Sequence, residues 1–328
     1  MTRSRPLRSP WRPIALAAVA AALLLAPAAA ADPGPARPAE TAARCAKPTE
    51  QQDGTSDKYE LTDQGRERSY ILHLPDGYSG RDDWPLIIAF HGRGGTGTEL
   101  EGYSGLSTVP AVVAYPNGEL GTGDGYRRAW QGAPYAPPEV DDVAFTSALL
   151  DRLQADWCVD PDRSYATGKS NGGGLAGLLG CRLPDRFAAV AVVAGAFYPA
   201  STEDCAGAGP MPIMIIHGTG DATIPYDGDA DRGLPAIPDL VDAWVDRNGC
   251  RSGPETRSVG TDVTISRWDR CSGGVGVSHV AVTGGGHVWP DAHAYSGGGY
   301  LTRTVAAEDL AWQFFRGYSP AATAGAVR

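Results

Sequence analysis

The fold is predicted from the stretch YATGKSNGG, residues 165–173. It contains a G-x-S-x-G pattern from Gly168 to Gly172, with Ser170 at its centre. The residues before it have the pattern of a strand, and a glycine-rich helical segment follows. A serine on such a sharp turn needs glycine on both sides, because a Cβ there would clash, and the turn exposes the hydroxyl beside a helix N-terminus. The pattern predicts that Ser170 is a nucleophile; the alternative is a glycine-rich turn whose serine has no function.

Strand-like and helix-like segments alternate on both sides of this turn. The apolar runs predict strands at residues 68–74, 86–91, 111–115, 163–167, 188–193, 212–217, 262–268 and 279–282. The helical spacing predicts helices at residues 143–157, 172–182, 240–247 and 304–315. Asp141 and Asp142 stand at the start of the first helix, where carboxylates are favourable. This alternation predicts a single α/β domain, with a mostly parallel sheet and helices on both faces.

The stretch FHGRGG, residues 90–95, follows an apolar strand. Glycines in this position leave backbone N–H groups free to face a substrate oxygen. We expect the N–H groups of Arg93 and Asn171 to form an oxyanion hole, with Gly94 as the substitute for Arg93. His91 lies at the strand end and is interpreted as structural, and a tight turn without function is the alternative for the whole stretch.

Two further motifs follow later strands. HGTGD, residues 217–221, places Asp221 in a short loop, with three nearby acids as competitors at Asp227, Asp229 and Asp231. These acids also suggest a calcium loop, but the glycine and glutamate of that motif are missing, and a solvated acidic loop is the plainer interpretation. GGGHVWP, residues 284–290, places His287 in a glycine-rich turn. Ser170, Asp221 and His287 therefore occur in the Ser, Asp, His order of α/β-hydrolases.

These four motifs resemble the secreted esterases that include polyhydroxybutyrate depolymerase-like esterases and the feruloyl and acetylxylan esterases of carbohydrate esterase family 1. The resemblance covers roughly residues 60–316 and includes VDDVAF at 140–145 and CRLPDRFAAV at 181–190. It implies an α/β-hydrolase fold and a catalytic triad of Ser170, Asp221 and His287, which requires no cofactor and no metal. Lys169 departs from the pattern, since a small or apolar residue is expected beside the nucleophile.

The substrate is predicted from aromatic residues near these motifs. Trp289 follows the histidine motif, and Trp130, Tyr126 and Tyr135 lie in a long loop at 117–140. Such side chains suit a hydroxycinnamoyl ring or a sugar face, and core packing is the alternative for each tryptophan. We expect feruloyl or acetyl esters of plant xylan as substrates, with hydroxyalkanoate polyesters as the alternative. A serine peptidase and a non-catalytic polysaccharide-binding or polyester-binding protein are the remaining hypotheses.

The N-terminus has the pattern of a processing segment. Four arginines precede the apolar run at 14–25, and a string of alanines follows it. This predicts a secretory signal peptide at residues 1–31 and an extracellular protein; a stable membrane anchor is disfavoured because the run is too short. A lead-in at 32–59, a catalytic domain at 60–318 and a tail at 319–328 complete the predicted organisation.

Charge and cysteine content restrict the remaining functions. The chain of 328 residues carries a net charge of −10, which disfavours a nucleic-acid partner. Its 6 cysteines suit three disulfides in an oxidising compartment, and no spacing suggests zinc. We predict the local pairs Cys181–Cys205 and Cys250–Cys271, which leaves Cys45–Cys158; buried free thiols are the alternative. A monomer is expected.

Overall fold

A computed structural model describes residues 50–80, 83–122, 125–202, 205 and 207–318. The predicted signal peptide, most of the predicted lead-in, Cys45 and the predicted tail lie outside these residues. The described residues lie within one compact unit, which supports a single folded domain.

The centre of the molecule is a parallel sheet of apolar strands. Its strands are β3 (Trp84–Phe90), β4 (Val112–Pro116), β7 (Val159–Lys169), β8 (Ala189–Val193), β9 (Ile213–Gly218) and β12 (Val277–Val282). They pair in parallel in the order β4-β3-β7-β8-β9-β12. β3, β4, β8 and β9 are buried along their whole length, as expected for strands covered on both faces. The prediction of a mostly parallel sheet is confirmed.

Antiparallel strands extend both edges of this sheet. β1 (Ser56–Asp63) and β2 (Arg66–His73) lie beyond β4, and β11 (Val263–Trp268) and β10 (Glu255–Val259) lie beyond β12. β1 begins within the predicted lead-in, so the predicted boundary at residue 60 falls inside a strand. A separate hairpin of β5 (Glu119–Leu120) and β6 (Arg128–Ala129) forms within the long loop.

Helices cover both faces of the sheet, as predicted. They are α1 (Gly97–Ser104), α2 (Asp142–Asp156), α3 (Asn171–Arg182), α4 (Ile237–Arg247) and α5 (Ala307–Phe315), and α1 was not predicted. Apolar side chains of α2, α3 and α4 join one core cluster, and those of α1 and α5 join a second. The Asp141 carboxylate caps α2 by accepting hydrogen bonds from the N–H groups of Val143 and Ala144.

The structure forms both predicted local disulfides, Cys181–Cys205 and Cys250–Cys271. Cys158 is buried and has no disulfide partner among the described residues. Its predicted pairing with Cys45 stays a prediction, because Cys45 lies outside them. In the described part of the chain, no helix has the length and apolar character needed to cross a membrane.

Candidate active site

Ser170 stands on a strained turn between β7 and α3. Its φ of 57° and ψ of −121° lie in a region that residues other than glycine rarely adopt. A Cβ at Gly172 would lie 2.3 Å from the Phe90 carbonyl oxygen, and a Cβ at Gly168 would lie 2.4 Å from the Gly172 carbonyl oxygen. Only glycine therefore permits this close approach of β3, β7 and α3. The turn has the geometry expected of a nucleophile elbow.

Asp221 and His287 form a hydrogen-bonded pair in the loops after β9 and β12. His287 Nδ1 lies 2.7 Å from Asp221 Oδ2, while the N–H groups of Thr223 and Ile224 donate to Asp221 Oδ1 at 2.8 Å each. Ser170, Asp221 and His287 are all nearly buried, at 8%, 4% and 8% exposure. Because β7, β9 and β12 run parallel, their carboxyl ends bring the three residues to one edge of the sheet. Ser170 Oγ has no hydrogen-bond partner in the described structure.

His217 is a second histidine in contact with Asp221, and the sequence analysis did not identify this contact. Its ring is fully buried, and Nε2 lies 2.9 Å from the Ile224 carbonyl oxygen and 3.4 Å from Asp221 Oδ2. Burial acts to raise the pKa of Asp221, but hydrogen bonds from His217 and His287 hold it well below its usual range. Asp221 therefore stays ionised at neutral pH. The spacing of four residues between His217 and Asp221 was the available sequence signal.

The pKa of His287 lies below its ordinary value. Burial is the main cause, and the nearby Lys169 ammonium acts in the same direction, whereas the hydrogen bond to Asp221 acts to raise it. His287 is therefore neutral at pH 7, with Nδ1 turned to a carboxylate. A neutral imidazole held in this way can accept a proton through Nε2.

The loop after β3 packs directly against the nucleophile. A Cβ at Gly92 would lie 3.3 Å from Ser170 Cβ, so the loop approaches closely only because that residue is glycine. The Arg93 N–H has no acceptor among the described residues. The Gly94 N–H donates to the Arg128 carbonyl oxygen at 2.7 Å, so Gly94 is not available as the substitute donor. This geometry favours Arg93 over Gly94 in the predicted oxyanion hole.

Two hydrogen bonds between its side chain and the Trp130 backbone fix the position of Asn171. Its Oδ1 accepts from the Trp130 N–H at 2.7 Å, and its Nδ2 donates to the Trp130 carbonyl oxygen at 3.1 Å. Its own N–H stands at the first position of α3 and has no acceptor among the described residues.

His91 is structural, as interpreted: Nδ1 contacts the Gly92 carbonyl oxygen, Nε2 accepts from the Gly118 N–H, and burial lowers its pKa to about 4.

A buried ion pair fixes the segment that holds Asn171. Arg68 Nη2 lies 2.8 Å from Asp142 Oδ1, and both side chains are almost fully buried. Asp142 Oδ2 accepts from the Gln131 N–H at 2.7 Å, directly after Trp130. The Arg68 guanidinium also lies 3.7 Å from the centre of the Phe145 ring. These contacts tie β2 and α2 to the loop beside the elbow.

Comparisons with known proteins identify the family of this chain. The family model Esterase, described as "Putative esterase", matches residues 62–251, which is more than half of the chain. The chain belongs to this esterase family. This confirms the predicted ester hydrolase.

Several curated relatives cover most of this esterase. The "Putative esterase NocK" of Nocardia uniformis subsp. tsuyamanensis is 32% identical over 84% of this chain and 87% of its own length. "Feruloyl esterase B" of Piromyces equi is 31% identical over 68% of this chain, which spans 43% of that protein. "Probable feruloyl esterase C" of Aspergillus niger is 28% identical over 76% of this chain and 83% of its own.

Solved structures confirm the α/β-hydrolase fold. An acetyl xylan esterase from Aspergillus awamori superposes with a TM-score of 0.58 at 15% identity, covering 80% of this chain and 99% of its own. An S-formylglutathione hydrolase from Agrobacterium tumefaciens gives a TM-score of 0.53 at 15% identity, covering 80% and 95%.

The structure corrects the predicted substrate contacts of Trp130 and Trp289. Both indoles are 0% exposed. Trp130 packs edge-on against Phe90 and donates to the His91 carbonyl oxygen at 2.8 Å. Trp289 lies in the second core cluster, where its indole N–H donates to Glu308 at 3.2 Å. Proximity to His287 in sequence did not reveal this, because the backbone turns the Trp289 side chain inward.

An open cleft of about 450 Å³ borders the elbow at Lys169, and neither Ser170 nor His287 is among its lining residues. It is lined by the glycine-rich loop at 91–96, by α1, by Lys169 and by the segment 294–296. Tyr295 lines this cleft and is 86% exposed, whereas Tyr126, 76% exposed, does not line it. The exposed aromatic side chain beside the site is therefore Tyr295, which the sequence analysis did not select.

The three nearby acids that were alternatives to Asp221 as the acid of the triad do not contact His287 in the described structure; they are Asp227, Asp229 and Asp231. Asp229 accepts from the Arg232 N–H at the start of a short 3-10 helix and pairs with the Arg232 side chain. Among these four acids, Asp221 is the one that forms a hydrogen bond with His287.

Proposed function

We propose that this esterase cleaves carboxylic esters through an acyl-enzyme on Ser170. Ser170 Oγ attacks the ester carbonyl as its proton passes to His287 Nε2, and His287 then gives that proton to the departing alcohol. Water next attacks the acyl-enzyme, gives its proton to His287, and releases the acid and the free serine. Asp221 orients the imidazole and stabilises its positive charge.

The N–H groups of Arg93 and Asn171 serve as donors to the oxyanion in both steps. The observation that carries this proposal is the 2.7 Å contact between His287 Nδ1 and Asp221 Oδ2 at the edge of the sheet where the strained Ser170 turn stands. The N–H groups of Arg93 and Asn171, which have no acceptor among the described residues, add independent support.

The proposed substrates are feruloyl or acetyl esters of plant xylan. Relatives named feruloyl esterases support this class, and the exposed ring of Tyr295 offers a surface for a hydroxycinnamoyl group or a sugar. The disulfides support the proposal that the protein works outside the cell.

A substrate panel tests this assignment. Purified protein is assayed on methyl ferulate, acetylated xylan and short hydroxybutyrate oligomers, with Ser170→Ala as the control for chemistry. Turnover of methyl ferulate or acetylated xylan by the wild type alone is expected. Turnover restricted to hydroxybutyrate oligomers would move the assignment to the polyester class, and turnover by Ser170→Ala would refute the mechanism.

Tyr295 and Tyr126 provide a matched pair for the aromatic contact. Tyr295→Ala should raise KM for methyl ferulate by about three- to tenfold relative to an acetyl ester, the size of one aromatic contact. Tyr126→Ala removes an exposed ring that does not line the cleft and should leave this ratio unchanged. Equal ratios in both variants would exclude Tyr295 from the substrate site.

A further inference from the structure

Lys169 is a buried lysine immediately before the nucleophile. It is 5% exposed, and its ammonium makes no hydrogen bond and no ion pair with any described residue. Burial lowers its pKa to about 8, so the side chain is still mostly charged at pH 7. A buried ammonium without an anion costs several kcal/mol of folding free energy. A role in packing alone does not account for a charged side chain at this position.

Lys169 lines the open cleft. On another side, a Cβ at Gly297 would lie 3.3 Å from Lys169 Nζ, so the backbone there closes over the ammonium. The nearby carboxylate of Asp221 acts on Lys169 at longer range, but its oxygens already receive hydrogen bonds from four donors.

The other charged groups at the cleft do not neutralise Lys169. The Arg93 guanidinium stacks on the Tyr135 ring at 4.1 Å, and Glu99 accepts a hydrogen bond from the Thr96 hydroxyl at 3.2 Å. Lys169 is therefore a cation that faces a ligand-sized space, one residue from the reacting hydroxyl.

We propose that the Lys169 ammonium binds a carboxylate carried by the substrate close to the ester that is cleaved. This inference rests on the proposed serine esterase mechanism and narrows its substrate class. Two kinds of natural ester offer such a group: the hydroxy-acid end of a short polyester, and an esterified sugar beside a uronic acid. Both present the same chemistry to the cleft.

The bound carboxylate also affects the chemical step. Lys169 lowers the pKa of His287, so its charge opposes the imidazolium that forms when Ser170 attacks. A carboxylate on Lys169 neutralises that repulsion. Recognition at this site therefore raises kcat as well as lowering KM, whereas a remote binding contact changes KM alone.

The test compares esters that differ only in this charge. One arm uses 3-acetoxybutyrate against 3-acetoxybutyramide, and the other uses acetylated xylo-oligosaccharides whose uronic acid substituent is either free or converted to its amide. In the arm that matches the natural source, the wild type should favour the charged ester by about 10- to 100-fold in kcat/KM, the range of a hydrogen bond to a charged group. The arm with the larger preference identifies the source.

Lys169→Met should abolish this preference, because it removes the charge while keeping an unbranched side chain. Lys58→Met removes an exposed lysine on β1 and should keep the preference intact. No preference in the wild type in either arm, or a preference that survives Lys169→Met, overturns the inference. Hydrolysis of 4-nitrophenyl acetate by the wild type is measured in parallel, and its absence would instead refute the proposed function.

Discussion

Replacement of Asp221 by Asn tests the pair that carries the proposed mechanism. The change removes the negative charge and leaves the shape of the side chain. In the structure, the N–H groups of Thr223 and Ile224 both donate to Asp221 Oδ1 at 2.8 Å. An asparagine must therefore keep its carbonyl oxygen in that position, which turns its NH₂ group toward His287 Nδ1. Nδ1 must then accept, and the proton moves to Nε2.

This tautomer cannot take the proton of Ser170. The expected loss in kcat is about 10⁴-fold, which is typical of this substitution in a Ser-His-Asp triad and equals about 5 kcal/mol of transition-state stabilisation. The assay is steady-state hydrolysis of 4-nitrophenyl acetate, together with thermal unfolding to show that the variant is folded. KM should change little, because Asp221 does not touch the substrate.

Asp227→Asn is the matched control, since it removes the same charge from the same loop without a contact to His287. It should retain activity within about twofold, as expected for a surface change. If Asp221→Asn retained more than a tenth of the wild-type kcat, or if Asp227→Asn were the damaged variant, the assignment of the acid would be wrong.

Three further predictions concern residues around this pair. Lys169→Met should move the acid limb of the kcat/KM profile for a neutral ester to higher pH, because the lysine lowers the pKa of His287; an unmoved limb would contradict that coupling. Asp142→Ala should lower the free energy of unfolding by about 3–5 kcal/mol in urea titration, because it removes the buried partner of Arg68 and leaves that guanidinium with only the partly exposed Glu119; a loss below 1 kcal/mol would show that the pair is not needed. Trp289→Ala should destabilise by about 3–5 kcal/mol and weaken turnover of aromatic and acetyl esters alike, as expected for a core indole; a selective loss on aromatic esters would restore its predicted substrate contact.

Local sequence patterns were sufficient to predict the central sheet and the elbow. Continuous apolar runs identify strands that are buried on both faces, and Gly168 and Gly172 mark a turn where no other residue fits. The edge strand β1 was missed because it is largely exposed and polar, so its sequence lacks an apolar run. Its position depends on pairing with β2, which is a tertiary contact.

Only part of the candidate site was predictable from the sequence, because the rest depends on tertiary contacts. The loops after parallel strands meet at one edge, so Asp221 and His287 could be placed together from strand order. The direction of a side chain within a loop depends on packing that the sequence does not show. Trp289 therefore lies in the core, against the prediction. Only the structure shows that the Gly94 N–H already has an acceptor, which leaves the Arg93 N–H as the donor for the oxyanion hole.

The most direct test of the account is covalent labelling of the nucleophile. The wild-type protein is treated with an organophosphate such as paraoxon, digested, and mapped by mass spectrometry while residual esterase activity is followed. The account predicts one diethylphosphoryl group per chain, on the peptide that contains Ser170, with activity lost in proportion and no label on Ser170→Ala. Complete inactivation with the label on another residue, or full hydrolytic activity with Ser170 fully labelled, would contradict the central claim.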